Sequence, residues 1–144
     1  MAKANAVRRS PTTLLSATDL PGASIAVPQA RNYVQHICRE MSNTRLNELL
    51  LVISEIVTNA LQHSESGRRP DGRIRLVITE HAYVLHVLVV DQGSSSGAPQ
   101  LQPQDDIERS GGHGLAIVEH LTRAWGWHEE PPNRVVWFDF EVAP

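Results

Sequence analysis

A pair of polar residues on a predicted helix could take part in phosphate chemistry. Glu55 and Asn59 are four residues apart, which places them one above the other on a single helix face. His63 extends this row by another turn. An Asn oxygen is a hard ligand that suits Mg²⁺, and a carboxylate one turn away could accept a proton from an attacking hydroxyl or water. The same spacing is also typical of the solvated side of an amphipathic helix, so the pair alone leaves both interpretations open.

Two further segments could contribute to such a site. Asp91 follows a long apolar stretch, where its carboxylate could accept a hydrogen bond from the exocyclic amine of adenine, and Gly93 would let the base approach the backbone. Gly112 and Gly114 flank His113 where a helix is predicted to begin, and its first backbone N–H groups could bind phosphate. Ordinary turns and helix caps have similar compositions, so neither segment is decisive by itself.

The elements that must position these residues follow from the apolar periodicity. We expect three helices, at residues 27–41, 45–64 and 114–125. We expect five strands, namely a short edge strand, a hairpin and a closing pair, at residues 12–17, 73–79, 83–90, 125–129 and 135–142. The 83–90 strand is apolar on both faces, which predicts a central position in the sheet. After this strand, residues 92–111 are expected to form a long loop of the kind that often acts as a lid.

Composition excludes several classes of protein. Twelve of the thirteen basic residues are arginine, and the only lysine is Lys3, near the N-terminus. P-loop nucleotidases, eukaryotic-type kinases and Schiff-base enzymes each need a lysine in their site, so none of them fits. The net charge of -3, the single Cys38 and the lack of a long apolar run predict a cytoplasmic protein that binds neither nucleic acid nor membrane. We expect a flexible arm at residues 1–11 and a single domain at residues 12–144.

Taken in order, the three polar segments resemble the boxes of the GHKL ATPases, which share the Bergerat fold. The N-box, the first glycine box and the second glycine box are similar to residues 54–63, 89–93 and 110–119. Within this group the sequence looks like the small anti-sigma-factor serine protein kinases that are common in actinobacteria. The resemblance implies a two-layer α/β (α+β) sandwich in which a mixed sheet carries helices on one face.

The roles of individual residues also come from the resemblance. It implies that Glu55 is the general base, that Asn59 binds Mg²⁺ and that Asp91 binds adenine. The remaining contacts to ATP are assigned to Gly93, Gly112, His113 and Gly114. ATP and Mg²⁺ are therefore the expected cofactors.

The implied activity is phosphorylation of a Ser or Thr on a STAS-type anti-anti-sigma partner. The resemblance further implies a homodimer that could sequester a sigma factor. Two positions depart from the family pattern: Ser95 replaces the second glycine of the first box, and Val135 stands where a threonine often assists the nucleotide. These departures favour an alternative, a nucleotide-binding adaptor without catalysis. A gyrase-like ATPase fragment is a third alternative, against which the missing catalytic lysine argues.

Overall fold

One five-stranded sheet organises the computed structural model, which describes residues 13–94 and 114–143 except for the side chains of residues 114 and 115. The strands are β1 (Thr13–Pro21), β2 (Arg73–His81), β3 (Val84–Asp91), β4 (Ala124–Glu130) and β5 (Asn133–Glu141). Their order across the sheet is β1-β2-β3-β5-β4. The apolar strand predicted to be central therefore does lie in the middle of the sheet.

The predicted fold class is confirmed, but the sheet differs from the expectation in two ways. We expected a mixed sheet, whereas all four pairings among the described strands are antiparallel. The edge strand was also expected to end at residue 17. Instead β1 continues to Pro21 because residues 18–21 stay in register with β2, where Pro21 lies opposite Arg73. A proline is tolerated there because an edge strand can lack one ladder donor.

Three helices lie in the described part of the chain: α1 (Ala26–Ile37), α2 (Asn43–His63) and α3 (Gly114–Leu121). The first ends at Ile37 rather than at residue 41, because Cys38 leaves the helical conformation. The third ends at Leu121 rather than at residue 125. The reason is that Ala124 and Trp125 pair with β5 in the sheet. At the start of α2, the hydroxyl of Ser42 caps the helix by accepting a hydrogen bond from the N–H of Arg45.

The core lies between α1, α2 and one face of the sheet. The predicted apolar stripe of α2 supplies much of it, including Leu49, Leu50, Ile53, Ile56, Val57 and Ala60. Cys38 joins the edge of this core, and burial together with the carboxylate of Glu80 raises the pKa of its thiol to about 11. No helix in the described residues is both long and apolar enough to cross a bilayer.

A buried serine connects the end of α2 to the strands that carry the candidate site. The chain leaves α2 through one 3₁₀ turn, Glu65–Gly67. The hydroxyl of Ser66 donates to the carbonyl of Arg73 at 2.6 Å and accepts from the N–H of Gln92 at 2.9 Å. The N–H of Glu65 also donates to the carbonyl of Gly93 at 2.8 Å. Together these bonds fix the segment that follows β3 against the C-terminal end of α2.

Replacing this serine tests the connection. Ser66→Ala leaves the carbonyl of Arg73 and the N–H of Gln92 without their partner, and Ser66 is fully buried. We expect the free energy of unfolding to fall by about 1–3 kcal/mol in urea denaturation. Ser24→Ala, at an exposed serine, is the control and should change it by less than about 0.5 kcal/mol. Equal stability of the two variants would contradict this role.

Candidate functional site

Asn59 lies on the buried side of α2, one turn before the helix ends. The residue is 5% exposed, and its Oδ1 and Nδ2 atoms are buried without a hydrogen-bond partner in the described part of the chain. An unsatisfied buried polar group costs about 1–3 kcal/mol, so proteins rarely keep one without a reason. The alternative of a solvated helix side is therefore wrong for Asn59. Glu55, one turn earlier, is half-buried at the border of the same face. An unpaired amide oxygen is a group that a bound cation could satisfy.

Asp91 is the last residue of β3 that points towards the helices. Side chains alternate between the two faces of a strand, and Leu85, Val87, Val89 and Asp91 are the buried set of β3. The carboxylate is fully buried, which an exposed turn residue would not be. Burial raises the pKa of Asp91, while a hydrogen bond from the N–H of Gly93 and the guanidinium of Arg134 oppose that rise. The ordinary-turn alternative does not describe this residue.

Arg134 is the cross-strand partner of Asp91, and the sequence analysis did not identify it. The β3–β5 register places the two residues directly opposite each other, so both side chains lie on the same face. Nη2 and Nε of Arg134 donate to Oδ2 of Asp91 at 3.0 and 3.2 Å. The exposed fractions of the Arg134 and Asp91 side chains are 1% and 0%. Nη2 also lies 3.5 Å from the carbonyl of His63, so the guanidinium connects β3, β5 and the end of α2.

Val135 points away from this cluster. It lies opposite Val90, on the face of the sheet that Asp91 does not share. Val135 was expected to stand at a position that assists the nucleotide. The register shows that the β5 residue facing Asp91 is Arg134 and not Val135. The available signal was the alternation of β5, in which Arg134, Val136, Phe138 and Phe140 are all buried on one side.

Gly93 is required by the backbone itself. Its φ of 81° lies in the left-handed region, and its N–H donates to Oδ1 of Asp91 at 2.8 Å. A Cβ at this position would lie 2.4 Å from the carbonyl oxygen of Pro132. The glycine therefore lets the chain turn back towards its own aspartate, whether or not a base also approaches it.

His63 ends the polar row of α2. Burial lowers its pKa, and the nearby charges of Arg134 and Arg68 lower it further. The imidazole is therefore biased towards its neutral form, and Arg134 supplies the positive charge next to Asp91.

The remaining predicted residues are only partly visible. Gly112 and His113 lie outside the described residues, as do Ser95, most of the predicted lid and the predicted arm. Gly114 begins α3, as predicted, and α3 packs against α2. The described residues bring the end of α2 together with Asp91, Gly93 and Arg134. Roles for Glu55, Asn59 and the glycines stay predictions.

The strained position of Gly93 gives a direct test. Gly93→Ala adds a Cβ at positive φ and against the carbonyl of Pro132, so we expect the free energy of unfolding to fall by about 1–3 kcal/mol or more. Thermal unfolding and urea denaturation measure the loss. A variant as stable as the wild type would show that the backbone does not need glycine there.

No curated protein sequence matches the chain. A chain of the SiaB–SiaC complex from Pseudomonas aeruginosa has a similar structure, with a TM-score of 0.59 and 12% sequence identity over 96% of this chain and 95% of that chain. At that identity the likeness shows a shared fold. The family model described as the histidine kinase-like ATPase domain matches residues 20–140, from the end of β1 through most of β5. This match confirms the resemblance drawn from the three boxes, and the chain belongs to the histidine kinase-like ATPase family.

Proposed function

We propose that this chain is a serine/threonine protein kinase that uses Mg²⁺ and ATP. The observation that carries the proposal is the buried amide of Asn59, which has no hydrogen-bond partner among the described residues. Membership of the ATPase family supports nucleotide binding in general. A polar group that the fold leaves unsatisfied supports a ligand at this particular turn of α2.

Each residue of the site has a role that its chemistry permits. Oδ1 of Asn59 would hold Mg²⁺, which when bound neutralises charge on the phosphates. Asp91 would accept a hydrogen bond from the amine of adenine, next to the turn made by Gly93. The start of α3 would bind phosphate through backbone N–H groups, with Gly112, His113 and Gly114 as the assigned contacts.

Glu55 is the proposed general base. It would accept the proton of a substrate Ser or Thr hydroxyl while the hydroxyl oxygen attacks the γ-phosphorus of ATP, and ADP leaves as the bond to its β-phosphate oxygen breaks. Its position one turn before Asn59 on α2 supports this role, because both side chains then lie on one face of a rigid helix. Most of the rate would come from positioning and charge neutralisation.

The proposed substrate is a STAS-type anti-anti-sigma protein, and the proposed setting is the cytoplasm. The similar fold in the SiaB–SiaC complex supports the idea that a chain of this architecture engages a second protein. Sequestration of a sigma factor and formation of a homodimer belong to the same proposal.

A nucleotide-binding adaptor without catalysis is the second candidate. Both carboxylate oxygens of Asp91 already accept hydrogen bonds from the protein, which leaves less capacity for the base. Ser95 in place of a family glycine favours the same alternative. The two candidates differ in phosphoryl transfer and agree on nucleotide binding.

Removing the unpaired amide should separate binding from stability. Asn59→Leu replaces it with an apolar group of similar size, so the free energy of unfolding should stay equal or rise. Affinity for Mg²⁺-ATP, measured by calorimetry, should fall about tenfold or more.

The control is Ser64→Ala, because the hydroxyl of Ser64 is buried on the same helix end and is fully bonded to Ala60 and Ser66. It should lose about 1 kcal/mol of stability and keep its ATP affinity. Undiminished ATP binding by Asn59→Leu would refute the proposed role.

Phosphoryl transfer is tested with radiolabelled ATP and candidate STAS proteins. Glu55→Gln should lower the rate of phosphoserine or phosphothreonine formation by about 10²- to 10⁴-fold while ATP affinity changes little. Glu48→Gln is the matched control, because Glu48 lies two turns earlier on α2 and pairs with Arg45. It should transfer phosphate at the wild-type rate. ATP binding without transfer in the wild type would favour the adaptor, and no ATP binding would contradict both candidates.

A further inference from the structure

We infer that Arg134 determines which nucleobase the site accepts. Its guanidinium holds the carboxylate of Asp91 as a fixed hydrogen-bond acceptor, and it thereby selects a purine with a 6-amino group over one with a 6-oxo group. This inference rests on the proposed nucleotide-binding function. It concerns a residue that acts on the base through Asp91.

The geometry of the pair fixes the orientation of the carboxylate. Both donors from Arg134 end on Oδ2 of Asp91, at 3.0 and 3.2 Å, while the N–H of Gly93 ends on Oδ1 at 2.8 Å. An ionised carboxylate offers about four lone-pair positions, so Oδ1 keeps one that can accept from a ligand. Rotation of the group would break all three bonds. The remaining acceptor therefore has a fixed direction.

The guanidinium is directed at protein acceptors. Nε and Nη2 donate hydrogen bonds to the carboxylate of Asp91, and Nη2 also lies 3.5 Å from the carbonyl of His63. Arg134 is 1% exposed, wedged between β3 and the end of α2. Its effect on a base is therefore transmitted by Asp91. An arginine that touched the base directly would instead favour a 6-oxo group, because a guanidinium only donates hydrogen bonds.

Charge explains why the aspartate needs this partner. Burial alone favours the neutral acid, and a neutral acid would donate its O–H to a 6-oxo group instead of accepting from an amine. Arg134 from β5 and the Gly93 N–H oppose the rise that burial causes in the pKa of Asp91. In the described part of the chain, the other charged or titratable groups near this pair include His63 on α2, Arg68 after the 3₁₀ turn and Glu129 on β4, which lies opposite Arg134 in the β4–β5 register. The pKa of His63 is lowered. Arg134 is thus the cation in contact with the carboxylate.

The experiment compares ATP with inosine triphosphate, whose base has a 6-oxo group and an N1–H where adenine has a 6-amino group and an unprotonated N1. Affinities are measured by calorimetry from about pH 6 to about pH 8.5 on the full chain, as wild type, Arg134→Met and Arg134→Lys. The wild type should prefer ATP by about 10- to 100-fold at every pH in this range. Arg134→Met should lose about tenfold or more of this preference, most strongly at low pH, where a protonated Asp91 donates to the 6-oxo group. Arg134→Lys keeps the positive charge and should retain most of the preference.

A second variant covers the case in which Arg134→Met does not fold because it leaves a buried carboxylate unpaired. The double variant Asp91→Asn/Arg134→Met removes both charges, and an amide can turn either its donor or its acceptor towards the base. It should bind ATP and inosine triphosphate about equally, without pH dependence. An unchanged ATP preference in Arg134→Met or in the double variant, or a wild type that prefers inosine triphosphate, would overturn the inference alone. A wild type that binds neither nucleotide would overturn the proposed function, and the inference with it.

Discussion

A buried ion pair joins the central strand β3 to its neighbour β5 at the end where the candidate site lies. Arg134 donates two hydrogen bonds to Asp91 in a place that excludes water almost completely. Burying two charges is costly, and it is tolerated only when the geometry and the remaining hydrogen bonds are good. A slip of one residue in the β3–β5 register would turn one partner to the opposite face. The ion pair, and with it the candidate site, therefore depends on the correct register of β3 and β5.

The long helix α2 supplies the other half of the site by burying a polar group among apolar ones. Its stripe packs on the sheet, and Asn59 is buried with that stripe although no residue that the structure describes hydrogen-bonds to its amide. Local rules of stability are commonly broken where function requires it. The Ser66 junction then holds the segment after β3 against the end of the same helix. The packed core thus holds the amide of Asn59 close to the segment that follows β3.

Much of the architecture could be predicted because apolar periodicity is local. The stripe of α2 and the two-sided apolar character of β3 each belong to one segment, and the structure confirms them. Pairing depends on distant segments, so the length of β1 and the fully antiparallel pattern were not predicted. Arg134 was missed for the same reason, since only the register of β3 with β5 reveals that it faces Asp91. The boxes located Asn59 and Asp91, but their burial is a property of the folded chain.

The raised pKa of Cys38 makes the thiol a natural reporter of conformational opening. The thiolate is the reactive form, so a buried thiol with a pKa of about 11 reacts slowly with alkylating reagents while the protein is closed. Cys38 lines a cavity with Leu85, at the start of β3, whereas Asp91 ends that strand. Alkylation at this cysteine therefore reports opening of the domain at the end of β3 opposite to the candidate site.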